Sequence, residues 1–101
     1  MPTKYKYDAE IIKAAIAAYV FYQQELNAPV LTKAGWNDGG LCPFHNDTRP
    51  GSFFVNLHTG AFKCYSCDAG GSNIISFTML KYNLSFYDAL KKLATDWRVG
   101  V

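Results

Sequence analysis

The sequence contains few cysteines, little net charge and no long hydrophobic run. Its three cysteines cannot all pair within one chain, so a disulfide framework is not expected. The longest apolar run, residues 14–22, is far shorter than the ~20 residues that a helix needs to cross a bilayer. The N-terminus leads into no apolar segment typical of a signal peptide. These absences predict a cytoplasmic protein with reduced thiols and no membrane partner.

The charged residues also give little information about a partner. Ten basic and eight acidic residues give a net charge of +2, which by itself does not indicate a nucleic-acid partner. Locally, residues 48–67 contain Arg49 and Lys63 but no carboxylate, so this part of the chain is basic. The alternative interpretation is an ordinary solvated surface.

The sequence does contain enough apolar residues for a core. Half of the 101 residues are hydrophobic and 16% are aromatic, which predicts one domain over residues 1–101. A domain of this length is small, and small domains often need a metal or disulfides for stability.

Helices are predicted at both ends of the chain and short strands between them. The first helix spans residues 8–25, with Asp8 as its N-cap. Strands are predicted at residues 30–34, 52–57 and 61–65, with turn residues at 35–40 and a hairpin turn at 58–60. The apolar stripe of the first helix is formed by Ile12, Ile16, Tyr19 and Val20.

The C-terminal part is predicted to form two more helices. The first is capped by Ser72 or Asn73 and runs to Lys81, and Ser85 begins the second. One side of the last helix carries Phe86, Leu90 and Leu93. The predicted fold class is α+β, a small antiparallel sheet flanked by helices.

Two short motifs separated by residues 46–63 predict a metal site. Each holds two potential ligands with a two-residue spacer, which allows one tight turn to present both side chains to the same ion. Zinc prefers four such ligands in a tetrahedron, with Zn–S bonds of ~2.3 Å and Zn–N bonds of ~2.0 Å. Since the protein fills all four positions, the zinc is expected to be structural. The four ligands are Cys42, His45, Cys64 and Cys67.

The sequence also allows three alternatives to this zinc site. The cysteines could be buried as small hydrophobic residues. His58 could replace His45, although it has no partner at the required spacing and lies at the predicted hairpin tip. Cys64 and Cys67 could form a redox pair, but the βαβ context typical of such motifs is missing.

The predicted ligands lie within a larger pattern. It comprises residues 42–47 (CPFHND), 52–55 (SFFV), 62–71 (FKCYSCDAGG) and 74–77 (IISF), preceded by residues 30–35 (VLTKAG), Asn37 and Leu41. This pattern resembles the N-terminal zinc-binding domain of bacterial DnaG-type DNA primases. The resemblance covers nearly the whole chain and implies a zinc ribbon at residues 30–71, between the first helix and a helical tail at residues 72–97.

The resemblance also implies a function. In that family the domain engages single-stranded template DNA and helps to select where a primer begins, while a separate catalytic domain with an acidic metal cluster polymerises nucleotides. The eight carboxylates of this chain are scattered, and no nucleophile–base pair is evident, so the chain is expected to hold no active site of its own. The implied partners are single-stranded DNA, a primase catalytic domain in cis or in trans, and a replicative helicase.

Two departures from the family pattern fall on the expected DNA-facing side. Residues 48–53 (TRPGSF) contain one residue more than the usual Thr-Pro-Ser-Phe segment, and Trp36 stands where a basic residue is common. Both departures predict a different template preference.

Candidate DNA contacts follow from how proteins hold single strands, by aromatic stacking worth ~1–3 kcal/mol per base and by a cationic groove. Charge would come from Lys33, Arg49 and Lys63, and stacking from Trp36, Phe54 and Tyr65. The alternative is that these rings belong to the core. Residues 70–72 (GGS) could bind a phosphate at the start of the following helix. Alternatively, the glycines allow a tight turn directly after the second motif.

A second functional hypothesis is a zinc-stabilised protein-interaction module of a replication or mobile-element protein. Template binding requires Lys33, Lys63 and an exposed aromatic residue on one face. An interaction module requires an apolar patch without converging charge.

Overall fold

The computed structural model describes residues 7–26 and 29–99. Its elements confirm the predicted α+β class, with a small antiparallel sheet and flanking helices. In the described part of the chain, no helix is long and apolar enough to cross a membrane. In chain order, the elements are α1 (Ala9–Ala15), α2 (Ala18–Glu25), β1 (Trp36–Asp38), β2 (Phe53–Asn56), β3 (Phe62–Cys64), β4 (Gly70–Gly71), α3 (Ile74–Tyr82) and α4 (Phe86–Asp96).

The sheet is an antiparallel meander with strand order β1-β2-β3-β4. Strands β2 and β3 form the predicted hairpin, although each is shorter than predicted. Leu57 and Tyr65, at one end of each predicted strand, belong to turns. Side chains alternate between the two sheet faces, so Phe53, Val55 and Phe62 point into the core. The hairpin turn is held from the helical side, where the buried Tyr22 hydroxyl donates to the Gly60 carbonyl at 2.6 Å.

Aromatic rings connect the sheet to the helices. Phe77 of α3 is fully buried, and four rings surround it at centroid distances of 5.2–5.5 Å. Edge-to-face contacts such as these add to the burial energy of each ring. The four rings are those of Phe21, Tyr22, Phe44 and Phe62.

The predicted helix starts are confirmed by side-chain caps. Asp8 accepts hydrogen bonds from the N–H groups of Glu10 and Ile11. Asn73, rather than Ser72, caps α3, and Ser85 accepts from the N–H of Asp88 at the start of α4. Each cap satisfies donors that a helix end leaves unpaired.

The single helix predicted at residues 8–25 is wrong, because the chain breaks at Ile16 and Ala17. Both residues are extended, with ψ angles of 105° and 134°. The break turns α2 so that Phe21 and Tyr22 become buried, while Tyr19 and Val20 of the predicted stripe are about half exposed. Burying two large rings outweighs the hydrogen bonds that a continuous helix would add.

The strand predicted at residues 30–34 is also wrong, since β1 lies in the predicted turn at 35–40. The cause is the buried amide of Asn37. Its Oδ1 accepts the N–H groups of Thr32 and Lys33, and its Nδ2 donates to the carbonyls of Lys33 and Gly35. These bonds use the backbone groups that a strand would need for its ladder.

Two further details of the C-terminal half differ from the prediction. Residues 70–71 form a short strand that pairs with β3. Gly71 is closely packed there, since a Cβ would lie 2.7 Å from side-chain atoms of both Phe62 and Ser76. Asn73 occupies the first free N–H groups of α3, so the glycines serve close packing instead of a phosphate. In α4, two of the three residues predicted to share one side, Leu90 and Leu93, are buried, whereas the third, Phe86 at the first turn, is half exposed.

Candidate metal centre and adjoining sheet face

The four predicted zinc ligands come together in one cluster. Their ligand atoms all lie within 4.8 Å of one another. Cys42 Sγ is 3.8 Å from Cys67 Sγ, and Cys64 Sγ is 3.9 Å from His45 Nδ1. A tetrahedron with Zn–S bonds of ~2.3 Å has sulfur–sulfur edges of ~3.8 Å. The donor set and its spacing therefore fit one zinc ion.

Two tight turns position these ligands. The first turn follows Cys42, whose sulfur accepts the N–H of Phe44 at 3.4 Å. The second follows β3, where Cys64 Sγ accepts the N–H of Cys67 at 3.5 Å. Backbone N–H donors of this kind stabilise a thiolate, the form in which cysteine binds metal. We call these turns, residues 42–45 and 64–67, the first and second knuckle.

The thiols differ in their electrostatics. Burial raises the pKa of Cys42 to about 12, against the opposing effect of the Phe44 N–H. Burial also acts to raise the pKa of Cys64, but the N–H groups of Cys67 and Ser66 outweigh it and leave that pKa below its ordinary value. Zinc, when bound, supplies the positive charge that lets all three thiols coexist as thiolates.

The first knuckle is anchored in the core by Phe44. In the sequence, Phe44 stands between the ligands Cys42 and His45. Its ring packs against three core rings at centroid distances of 5.2–6.0 Å. Those rings belong to Phe53, Phe62 and Phe77. The position of two metal ligands is thereby tied to the packing of the sheet on α3.

Sequence reasoning missed one residue of this centre, Asp47. Its side chain is 10% exposed, and its Oδ2 accepts the N–H of Cys42 at 2.9 Å. That hydrogen bond is the main reason that the pKa of Asp47 lies below its ordinary value. The feature of the sequence that could have identified it is a carboxylate two residues after the histidine of the first motif. The alternative ligand His58 lies in the hairpin turn and is not part of the cluster.

Three of the six predicted DNA contacts lie on the side of the sheet that points away from the core, and a fourth lies beside them. Phe54 and Lys63 are direct cross-strand partners, and Trp36 is on the same face of β1, opposite Asn56. Trp36 is 50% exposed and Tyr65, in the second knuckle, 75%. The ring of Tyr65 contacts that of Phe54. We call Trp36, Phe54, Lys63 and Tyr65 the outward face.

Lys63 is not free on this face. Its Nζ is 2.5 Å from Oδ1 of Asp68, just beyond the stretch that lacks carboxylates. The ion pair raises the pKa of Lys63 and lowers that of Asp68. Any phosphate that binds Lys63 therefore competes with Asp68.

The other two predicted cations lie in exposed loops. Lys33 is in the loop that Asn37 organises before β1, and Arg49 is in the loop before β2. Within residues 7–26 and 29–99, neither side chain forms an ion pair with a carboxylate or lies over an aromatic ring. The structure therefore brings together four of the six predicted DNA contacts.

Comparison with known proteins places this centre in a family. A model of the CHC2 zinc finger family matches residues 11–101. The chain is 44% identical over 71 residues to a DNA primase of Clostridium acetobutylicum and 43% identical over 72 residues to one of Rickettsia bellii. These alignments cover 70% and 71% of the chain but 12% of each relative, so the chain spans a small part of their length.

A solved structure gives the same result. The chain matches the crystal structure of the Aquifex aeolicus primase, which contains zinc-binding and RNA polymerase domains, with a TM-score of 0.71 and 27% sequence identity. The match covers 93% of this chain and 23% of that one. The resemblance stated from the sequence is thereby confirmed, and so is a centre for one zinc ion.

Proposed function

Because the chain belongs to the CHC2 zinc finger family, we propose that it is the template-recognition domain of a DNA primase and binds single-stranded DNA through the outward face. The observation that carries the proposal is the attachment of this face to the metal centre. Tyr65 stands between the ligands Cys64 and Cys67, and its ring contacts Phe54. The knuckle that holds zinc thus also positions a stacking surface.

The chemistry of the outward face suits a single strand. Exposed rings stack on bases of any identity, and nearby cations neutralise phosphates. Trp36, Phe54 and Tyr65 would provide the stacking surface and Lys63 the charge. Lys33 and Arg49, in the loops before β1 and β2, would add phosphate contacts. A surface with so few cations predicts weak binding.

Weak binding is useful when the domain is tethered to its enzyme. We place nucleotide polymerisation in a primase catalytic domain, in cis or in trans, and a replicative helicase among the further partners. Tethering raises the effective concentration of a weak module without any new contact. Zinc coordination by three thiols fits a cytoplasmic location, where cysteines stay reduced.

A second candidate function is a zinc-stabilised protein-interaction module. A surface cavity of about 300 Å³ beside the second knuckle supports it, because its lining includes Leu80, which is 48% exposed. The cavity lies between the first knuckle and α3 and is lined by Pro43, Phe44, Cys67, Ala69, Leu80 and Lys81. This surface is separate from the residues of the outward face.

A fluorescence titration separates the two functions. The zinc-loaded chain is titrated with labelled single-stranded DNA at several salt concentrations, with duplex DNA of the same sequence as the control. With about three phosphates contacted, log K should fall with log salt at a slope of about −2, since each phosphate on a single strand contributes roughly −0.7. Binding should be micromolar or weaker. Equal binding of duplex, or none at low salt, would favour the interaction module.

A further inference from the structure

Asp47 contacts the first knuckle at two points. Its Oδ2 accepts the N–H of Cys42 at 2.9 Å, and its Oδ1 is 3.7 Å from Nε2 of His45. Its own backbone N–H donates to the His45 carbonyl at 2.9 Å. One side chain thus lies against both ligands that the first knuckle supplies.

The His45 ring has a defined orientation in this arrangement. Nδ1 faces the metal cluster, 3.9 Å from Cys64 Sγ, and Nε2 faces the Asp47 carboxylate. A negative charge beside Nε2 favours the tautomer that carries its proton there and leaves the Nδ1 lone pair for a metal. Zinc-ligating histidines commonly present their second nitrogen to such an acceptor.

The chemistry of the carboxylate is what this position needs. Asp47 must offer one acceptor to the Cys42 N–H and a second toward His45 Nε2. A carboxylate has two acceptor oxygens, whereas an asparagine amide has one oxygen and one donor group. An amide could retain the bond to Cys42, but it would then point N–H donors at the N–H of the ring.

We propose that Asp47 is a positioning residue for zinc, which holds Cys42 through the backbone and fixes the tautomer and orientation of His45. The proposal concerns zinc affinity and does not depend on DNA binding. Both knuckles have a backbone N–H donor to a cysteine sulfur, and the first knuckle has the Asp47 carboxylate in addition.

Zinc competition against a chelator of known affinity tests the proposal. Asp47→Asn should weaken zinc binding roughly 10- to 100-fold, the usual cost of losing such a partner. Asp8→Asn is the matched control, because Asp8 is also a carboxylate that accepts two contacts in a turn, at the cap of α1. Asp8→Asn should bind zinc within about twofold of wild type. An Asp47→Asn protein that also binds within twofold overturns the proposal.

A second measurement uses the wild-type protein and so does not depend on a variant that folds. In the zinc-loaded chain, nitrogen NMR of the His45 ring should show Nδ1 bound to metal and Nε2 bonded to a proton that exchanges slowly with water. If Asp47→Asn fails to fold in excess zinc, this spectrum decides. Metal on Nε2, or a freely exchanging Nε2 proton, overturns the proposal.

Discussion

The rings of Phe54 and Tyr65 are in contact, with centroids 6.0 Å apart and planes inclined at 66°. Phe54 belongs to β2, whereas Tyr65 lies within the second knuckle, so the contact joins the sheet to the metal centre. Any change that releases the knuckle should therefore also displace a ring of the outward face. The predictions below test the metal centre and this face separately.

The first prediction concerns zinc. The purified chain should contain one zinc per molecule, and His45→Ala should lose both the metal and cooperative unfolding. Structural zinc supplies on the order of 10 kcal/mol to the folding of small domains, which this chain is too small to replace. His58→Ala is the control and should retain one zinc, because His58 lies outside the cluster. Elemental analysis and thermal unfolding with and without a chelator give the answer. A folded, metal-free wild type would contradict the prediction.

The second prediction concerns charge on the outward face. Lys63→Ala should weaken single-strand binding for all sequences and make the salt slope shallower by about 0.7, the loss of one phosphate contact. Lys13→Ala is the matched control, since the side chain of Lys13 is 34% exposed and ion-paired, compared with 35% for Lys63. Titrations at several salt concentrations measure both. Identical slopes for the two variants would show that Lys63 contacts no phosphate.

The third prediction concerns stacking. Trp36→Ala should weaken single-strand binding roughly 5- to 100-fold, with little change in the salt slope, because stacking releases few ions. Phe86→Ala is the control, an aromatic residue of equal exposure on α4: 51%, compared with 50% for Trp36. The same titration compares them. If the two variants bind alike, Trp36 does not stack on a base.

The fourth prediction concerns the ion pair on the outward face. Asp68→Asn should strengthen single-strand binding roughly two- to five-fold at low salt, because it frees Lys63, and the gain should fade at high salt. Asp68 has a φ of +66°, a conformation that asparagine also tolerates, so the backbone should stay unchanged. Asp96→Asn, which frees Lys92 on α4, is the control and should have no effect. Unchanged binding by Asp68→Asn would mean that Asp68 does not compete with phosphate.

The fifth prediction concerns alkaline pH. Burial, and then the hydrogen bond from the hydroxyl to Glu25, raise the pKa of Tyr82 to about 12. An unfolded tyrosine has a pKa of ~10, so the contribution of Tyr82 to stability is complete below pH 10 and is lost as pH rises from 10 to 12. The difference in unfolding free energy between wild type and Tyr82→Phe, measured in denaturant from pH 9 to 12, should shrink over that range. A constant difference would contradict the assignment.

The sequence predicted well the features that depend on local chemistry. The two ligand pairs, the caps at Asp8 and Asn73, and the β2–β3 hairpin follow from short-range spacing. Such signals are local because metal ligation, capping and tight turns involve residues close in the chain.

Features that depend on tertiary packing could not be predicted in the same way. The break at Ile16 and Ala17 lies in an unbroken helical pattern, and only the packing of Phe21 and Tyr22 onto Phe77 explains it. The loop before β1 depends on one buried amide, Asn37, whose four hydrogen bonds no periodicity reveals. The role of Asp47 likewise appears only once the knuckle has its shape.

The hydrogen bond from Tyr22 to Gly60 reduces the conformational entropy that the protein loses when a ligand binds. Zinc fixes one end of the β2–β3 hairpin through Cys64, and the Tyr22 hydroxyl fixes the other end at the turn. Phe54 and Lys63 lie between these two attachments. A ligand that meets the outward face thus finds a backbone that is already ordered, so its binding loses little conformational entropy of the protein.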